Sequence, residues 1–311
     1  MLTLALALNA HAAEVHDLSL SLPEGRTMRM VQTTHSTTDQ AGVTVVAEQE
    51  VTSTTAISAA ADGTMKLGAR VDAMKVVNRA GDQTMTWDST SGEAPSTPEL
   101  GLYAALVGTQ IDTYIDGDFE VVRIEGMDAM VDAMVNAMPD LDETAARVVR
   151  EELQASLGDD AMPDFVESTT HLLPAAKVPV GERWSREIET PSVAGTKTTM
   201  TFACTLAGVR GTLADIDCAV DGTMDYDSDA LVDMARRMSG AEPPPGMIEA
   251  MKAQLGAMEV EKVGGTAEMT FDTELGLGVA GSSTIDVVFS LGGVRIASTT
   301  VSDYTVTLVE P

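Results

Sequence analysis

Histidine is the side chain that enzymes use most often for acid–base catalysis, and the 311 residues contain four. None falls in a pattern that activates a nucleophile or binds a catalytic metal, since G-x-S-x-G, S-x-x-K and H-E-x-x-H are all absent. They lie apart along the chain, at His11, His16, His35 and His171. We therefore expect surface or structural histidines, no enzymatic activity and no cofactor.

A glycine pattern over residues 276–281 matches the dinucleotide fingerprint G-x-G-x-x-G. That fingerprint needs a helix directly after it, because the helix N-terminus holds the pyrophosphate. Residues 282–291 instead alternate like a strand, with Ile285, Val287 and Phe289 on one side. The pattern predicts a hairpin turn and no nucleotide site.

Alternating carboxylates are the second group that could do chemistry. Asp225, Asp227 and Asp229 would point the same way on a strand, where their oxygens could bind a hard cation such as calcium. An EF-hand is excluded, because Ala230 stands where that loop needs glycine and Arg236 where it needs its last glutamate. The pattern favours a solvated acidic edge, with calcium binding as the alternative.

The two cysteines lie in alternating runs on either side of a turn region at residues 208–211. A hairpin that turns near Gly211 places Cys204 and Cys218 opposite each other on the same face. In an oxidising compartment this arrangement predicts a cross-strand disulfide. Reduced thiols in the core are the alternative.

Methionine recurs at helical spacing in both halves of the chain. Packing of helices on a sheet is the first interpretation, and an adaptable lining for an apolar ligand is the second. Binding of Cu(I) by the soft thioethers is the third. The predicted apolar lining comprises Met127, Met130, Met134, Met138, Met234, Met238, Met247 and Met251.

The charge balance argues against anionic partners. With 48 acidic and 19 basic residues the formal net charge is −29, which repels nucleic-acid phosphates and anionic lipid headgroups. Hydrophobic residues nevertheless make up 44% of the chain, enough for a substantial core. We expect a folded acidic protein that does not bind nucleic acid.

The N-terminal residues predict export. Residues 2–8 form a short apolar run, and Ala10-His11-Ala12 follows it as a small-x-small cleavage signature. We expect a signal peptide over 1–12, with the start of the peptide upstream of Met1 because the usual basic residues are missing. The run is too short to span a bilayer, and no later stretch predicts a transmembrane segment. The mature protein is expected to be periplasmic or secreted.

Strand patterns dominate the remaining sequence, with turns at Asp-Gly and Gly-Gly pairs. Helices are expected at the methionine-rich segments, from the N-cap Asp142 to Gly158, over 164–173, and at Thr97-Pro98. The predicted fold class is α+β, mainly antiparallel β, with a curved sheet or incomplete barrel on which the helical insertions pack.

Three short motifs recur in the same order and indicate two related halves. We expect a first half over 13–160 and a second over 161–311, joined as one continuous unit. The paired motifs are Pro23-Glu24-Gly25 with Pro179-Val180-Gly181, Met85-Thr86-Trp87-Asp88 with Met269-Thr270-Phe271-Asp272, and Val122-Arg123-Ile124 with Val294-Arg295-Ile296.

At these motifs the chain resembles an uncharacterised family of exported bacterial two-repeat proteins. In that family each half starts at a Pro-x-Gly strand and carries an aromatic-Asp-Ser/Thr turn, here Trp87-Asp88-Ser89 and Phe271-Asp272-Thr273. The layout is also similar to periplasmic lipoprotein and lipid carriers, in which helices close a curved sheet over an apolar cavity. The first functional hypothesis is therefore binding of an apolar small molecule or lipid. A structural or interaction protein of the cell envelope is the second, and a hydrolase with two distant carboxylates is the third.

Overall fold

The computed structural model describes residues 14–138, 141–174, 176–190, 196–227, 229–230, 232, 236, 246, 248–249, 253 and 258–309. Among them lie fourteen strands and four helices. In chain order these are β1 Val15–Asp17, β2 Thr27–Gln40, β3 Val43–Ala59, β4 Met65–Ala80, β5 Gln83–Asp88, α1 Pro98–Leu106, β6 Gln110–Ile115, β7 Val121–Glu125, α2 Met127–Asn136, α3 Glu143–Leu157, α4 Pro163–Thr170, β8 Lys177–Pro179, β9 Arg183–Glu189, β10 Thr196–Arg210, β11 Leu213–Tyr226, β12 Glu259–Asp272, β13 Leu277–Leu291 and β14 Val294–Val309.

One antiparallel sheet of twelve strands runs through most of the described chain. Its order is β7-β6-β4-β3-β2-β14-β13-β12-β11-β10-β9, and β5 also pairs with β4. The long strands β2 and β14, from opposite ends of the sequence, pair in the middle over their whole length. The sheet is curved and does not close into a barrel, which confirms the predicted fold class. A separate ribbon joins β1 to β8.

The register assigns every side chain to one of two faces, because directly paired residues lie on the same side of a sheet. We call the side that carries the core clusters the inner face, and the opposite side the outer face. On β2, for example, Thr34 is inner and Thr37 is outer.

Two core clusters cover the flanks of the inner face. In one, Leu18 from the N-terminal segment packs with the cysteines and with Phe271, which is fully buried. In the other, α1 places Leu100 against Val76 and Trp87. Both clusters lie away from the central strands β2 and β14.

The helix ends follow the expected capping. Thr97 accepts a hydrogen bond from Leu100 N at the start of α1, and Asp142 caps α3 through Ala145 N. Helix α4 packs against both edge strands, β7 and β9, and so spans the gap between them. No helix in the described part of the chain is long and apolar enough to cross a membrane.

The two Pro-x-Gly turns have the same backbone hydrogen bonds. The first turn pairs Arg26 N with Pro23 O, Gly25 N with Ile57 O and Ile57 N with Arg26 O, and the second pairs Glu182 N with Pro179 O, Gly181 N with Leu206 O and Leu206 N with Glu182 O. The third motif, in contrast, lies on the edge strand β7 in one half and on the central strand β14 in the other. Division of the chain at residue 160 stays a prediction.

The predicted disulfide is confirmed, since Cys204 and Cys218 are register partners on β10 and β11 and their sulfurs are bonded. Their sequence separation is 14. Closing a loop of about 15 residues stabilises a fold by about 3 kcal/mol, chiefly by restricting the unfolded chain.

Reduction of this disulfide should therefore lower the free energy of unfolding by about 2–4 kcal/mol. Urea unfolding with and without dithiothreitol measures the difference. A Cys204→Ser/Cys218→Ser variant is the control, because its unfolding midpoint should not respond to the reductant. An unchanged wild-type midpoint, with thiol titration showing full reduction, would contradict the prediction.

Candidate binding face of the sheet

Charged side chains are sorted almost completely to the outer face. In β2–β7 and β10–β14 every inner position holds an uncharged residue, as read from the register. The carboxylates at two bulges also face outward, since Asp72 accepts from Thr54 and Glu261 from Ser290, both outer residues. The charged residue at an inner position in the described strands is Arg186, on the edge strand β9. The chain has 48 acidic residues, so the lack of charge distinguishes the inner face of the sheet from the rest of the protein.

The middle of the inner face is open. None of the 14 residues of β2 and none of the 16 of β14 is buried, although both strands are flanked on both sides. By comparison, β11 at the flank buries Ala214, Ile216, Cys218 and Val220. A central strand normally buries one face against a second layer, so the partial burial of both strands indicates that the described residues do not pack tightly over this surface.

Apolar side chains occupy the part of this surface that adjoins the Pro-x-Gly turn. Met28 and Met30 on β2 have Leu308 and Val306 as their register partners on β14. All four side chains are partly exposed. Flexible methionine side chains adapt to ligands of variable shape.

Hydroxyl groups occupy the adjoining part of the same surface, where β2 and β14 pair side by side. Three Ser/Thr pairs are hydrogen bonded across this junction, and we call them the hydroxyl pairs. They are Thr34 with Ser302 at 3.2 Å, Ser36 with Thr300 at 3.2 Å, and Thr38 with Ser298 at 3.0 Å. A bonded pair of hydroxyls uses one of its two hydrogens, so each pair keeps a donor and several lone pairs for another molecule.

Tyr304 adjoins these pairs on the inner side of β14. A Cβ atom at Gly281 would lie 2.5 Å from the Tyr304 ring, so the ring rests on this glycine. Burial raises the pKa of the Tyr304 hydroxyl, which stays protonated at neutral pH. The hydroxyl has no hydrogen-bond partner among the residues that the structure describes, and it can therefore donate to a polar group of a ligand.

Carboxylates line a different cavity on the outer face, of 490 Å³. Asp217 and Glu268 are register partners there, and Asp215 is paired with Arg210 at 3.0 Å. Within the described ranges no three His, Cys, Asp or Glu side chains are arranged to hold a metal ion. At the alternating carboxylates, for which the sequence favours a solvated acidic edge and leaves calcium binding as the alternative, Asp227 Oδ1 accepts from the backbone N–H groups of Asp229 and Ala230.

An aromatic and charged cluster stabilises the β6–β7 edge of the outer face. The Arg123 guanidinium lies 3.5 Å from the Tyr114 ring centroid and pairs with Asp62 at 2.8 Å. Hydrogen bonds from Thr64 and from Arg123 hold the pKa of the Asp62 carboxyl well below its usual range. These groups are therefore paired with one another at this edge of the sheet.

A smaller cavity of 260 Å³ lies where the N-terminal segment meets the β6–β7 turn and the chain after α4. Leu18, Leu20, Phe119 and Leu173 line it. Ligand sites for drug-sized molecules occupy about 300–1,000 Å³, so this cavity is small for a lipid. The middle of the inner face, on the central strands β2 and β14, is therefore the stronger candidate.

The predicted methionine lining is only partly described. In α2 the buried side is formed by Met127, Val131 and Val135, and Met130 and Met134 are half-buried. This helix packs mainly on α1 and α3. Met138, which follows α2, is also half-buried. The remaining four residues, Met234, Met238, Met247 and Met251, lie outside the described residues.

Sequence reasoning missed the hydroxyl pairs. The threonines near His35 and the residues Ser298, Thr300 and Ser302 form no motif that indicates a binding site. Their alternation was visible, but the pairing of β2 with β14 was not.

A family profile, described as a family of unknown function (DUF6263), matches residues 62–274. No curated protein sequence matches the chain. A lipovitellin structure concerned with lipid–protein interactions is 9% identical, over 92% of this chain and 25% of that chain, with a TM-score of 0.46. An outer membrane channel from Pseudomonas putida F1 is 8% identical, over 93% of this chain and 98% of that chain, with a TM-score of 0.27. This chain thus spans a quarter of the lipovitellin chain. Both TM-scores are below 0.5, so these structural similarities do not indicate a function.

Proposed function

We propose that this chain, which belongs to the DUF6263 family, binds an uncharged lipid-like ligand on the middle of its inner face. The observation that carries the proposal is the inner side of β2 and β14, which is apolar and hydroxyl-bearing, has no charged residue, and is only partly buried although it lies at the centre of the sheet. A ligand placed there would cover exposed apolar surface, worth roughly 25 cal/mol for each Å² removed from water.

Because the inner side of β2 and β14 has no charged residue, this surface disfavours binding of a charged ligand group. A carboxylate or phosphate buried there would lose its hydration without gaining a counter-charge, which costs several kcal/mol. The net charge of −29 adds long-range repulsion of anions. The hydroxyl pairs suit ester carbonyls and hydroxyls, and Met28, Met30, Val306 and Leu308 suit an acyl chain.

We further propose that the protein works after export, as the N-terminal sequence predicts. The Cys204–Cys218 disulfide supports this, because such bonds persist in oxidising compartments. The proposed role is to hold or carry the ligand, with no catalytic step.

Native mass spectrometry of the protein purified from the periplasm, followed by organic extraction, tests the proposal. We expect a co-purifying neutral lipid, or uptake of an added fluorescent fatty-acid ester with one molecule bound per chain. A Met130→Gln/Met134→Gln variant tests separately whether α2 lines the site. A loss of ligand uptake in this variant would show that these two methionines contact the ligand. A clean apo mass that added esters do not change would overturn the proposal and favour a protein that acts through its outer surface.

A further inference from the structure

Exposed apolar side chains concentrate on two neighbouring hairpins. The large hydrophobic residues that are exposed in the described chain are all valines, and three of the seven lie at the β2–β3 and β13–β14 turns. Their exposed fractions are 51% for Val43, 38% for Val45 and 39% for Val294. Single exposed valines are ordinary, but these three lie on adjoining turns at one margin of the sheet.

The sheet order brings these two turns together. β2 pairs with β14, and Gln40 at the end of one strand has Ile296 near the start of the other as its partner. Both turns use positive φ angles, including 82° at Gly42 and 81° at Gly293, which glycine adopts without strain. No charged residue occurs in 40–47 or in 290–294, and the adjacent Arg295 lies on the outer side, where it pairs with Glu261 at 3.0 Å. The two tips thus form one uncharged projection from the margin of the sheet.

The same projection continues the inner face. By register Val43, Val45, Leu291, Val294 and Ile296 all lie on the inner side, next to the hydroxyl pairs. We call these five residues the apolar lip. A molecule that leaves or reaches the middle of the inner face at this margin would pass over side chains without charge.

We propose that the apolar lip docks on the surface of an uncharged lipid bilayer, from which the inner face takes its ligand. This inference rests on the proposed function and names the partner of the same site. A bilayer fits because the tips are short, apolar and free of charge, so their valines can enter the headgroup boundary while the backbone turns remain near water. Anionic membranes fit poorly, because a net charge of −29 is repelled by their surface.

Flotation with phosphatidylcholine vesicles tests the docking. A Val43→Ser/Val294→Ser variant should lower the fraction bound about tenfold, since it removes apolar area from both tips. Val122→Ser is the matched control, because Val122 is 52% exposed but lies on the edge strand β7. Vesicles containing phosphatidylglycerol should bind the wild-type protein less than phosphatidylcholine vesicles do. Equal flotation of the lip variant and the control would overturn the proposal.

Ligand uptake from two sources separates this proposal from the proposed function. A fluorescent fatty-acid ester is supplied either in phosphatidylcholine vesicles or as a cyclodextrin complex. We expect the ratio of vesicle uptake to cyclodextrin uptake to fall about tenfold in the lip variant and to stay constant in Val122→Ser. An unchanged ratio with normal cyclodextrin uptake would overturn the docking and leave the binding function intact. No uptake by the wild-type protein from cyclodextrin would overturn both.

Discussion

Thr34→Glu should weaken binding of a neutral lipid-like ligand by at least about 100-fold, whereas Thr37→Glu should bind it as the wild-type protein does. Thr34 faces the interior and pairs with Ser302, so a ligand on this surface would bury the new carboxylate. Thr37 lies on the same strand but faces outward, with Thr299 and Val46 as its register partners. A buried unpaired carboxylate costs several kcal/mol, and about 2.7 kcal/mol corresponds to a 100-fold change in affinity.

The two variants are closely matched. Each replaces a half-buried threonine of β2 and removes one side-chain hydrogen bond, to Ser302 at 3.2 Å or to His35 at 3.3 Å. Titration of a fluorescent fatty-acid ester, delivered from cyclodextrin, measures both affinities. Circular dichroism and urea unfolding show whether each variant retains the fold. Equal affinities of the two folded variants would mean that the ligand does not lie on the inner face.

Local features of the fold were predictable from sequence because their causes are local. The N-caps Thr97 and Asp142 define the starts of α1 and α3 through hydrogen bonds that span only three residues. The pairing of Cys204 with Cys218 follows from two-residue periodicity and one nearby turn. Similarly, β13 covers 277–291, so the glycine pattern over 276–281 lies almost entirely within a strand and is not followed by a helix N-terminus.

The candidate site depends on contacts that no local pattern contains. Thr34 and Ser302 are 268 residues apart, and only the pairing of the first long strand with the last brings them together. Alternation within β2 shows that Thr34 and Thr37 face opposite ways, but it does not show which side carries the core. That assignment needs the register of neighbouring strands, because the inner face is defined by Val76 and Phe271 at the flanks. Sequence patterns therefore predict an apolar lining on the methionine-rich helices, whose periodicity is local, and give no indication of the surface that β2 and β14 form together.

Substitutions on the inner face should change the free energy of unfolding strongly at the packed flanks and weakly in the open middle. Phe271→Ala should lower the free energy of unfolding by about 3–5 kcal/mol, because the ring is fully buried against Leu18 and the disulfide. Val76→Ala should cost about 1–3 kcal/mol, since Val76 is 1% exposed in the other core cluster. Val306→Ala deletes the same methyl groups from the middle of the face and should cost less than about 1 kcal/mol, because water already reaches that side chain.

The two valine variants make this comparison independent of side-chain type. Urea unfolding with the disulfide intact measures all three, and equal m-values show that the unfolded states are comparable. A loss at Val306 as large as that at Val76 would show that the middle of the face is packed in solution, which leaves no surface for a ligand. If the difference is found, addition of ligand should raise the stability of the wild-type protein by RT ln(1 + [L]/Kd), and it should raise the stability of Val306→Ala by less, because the variant binds the ligand more weakly. Unfolding in the presence of ligand therefore connects the open middle of the sheet to its proposed use.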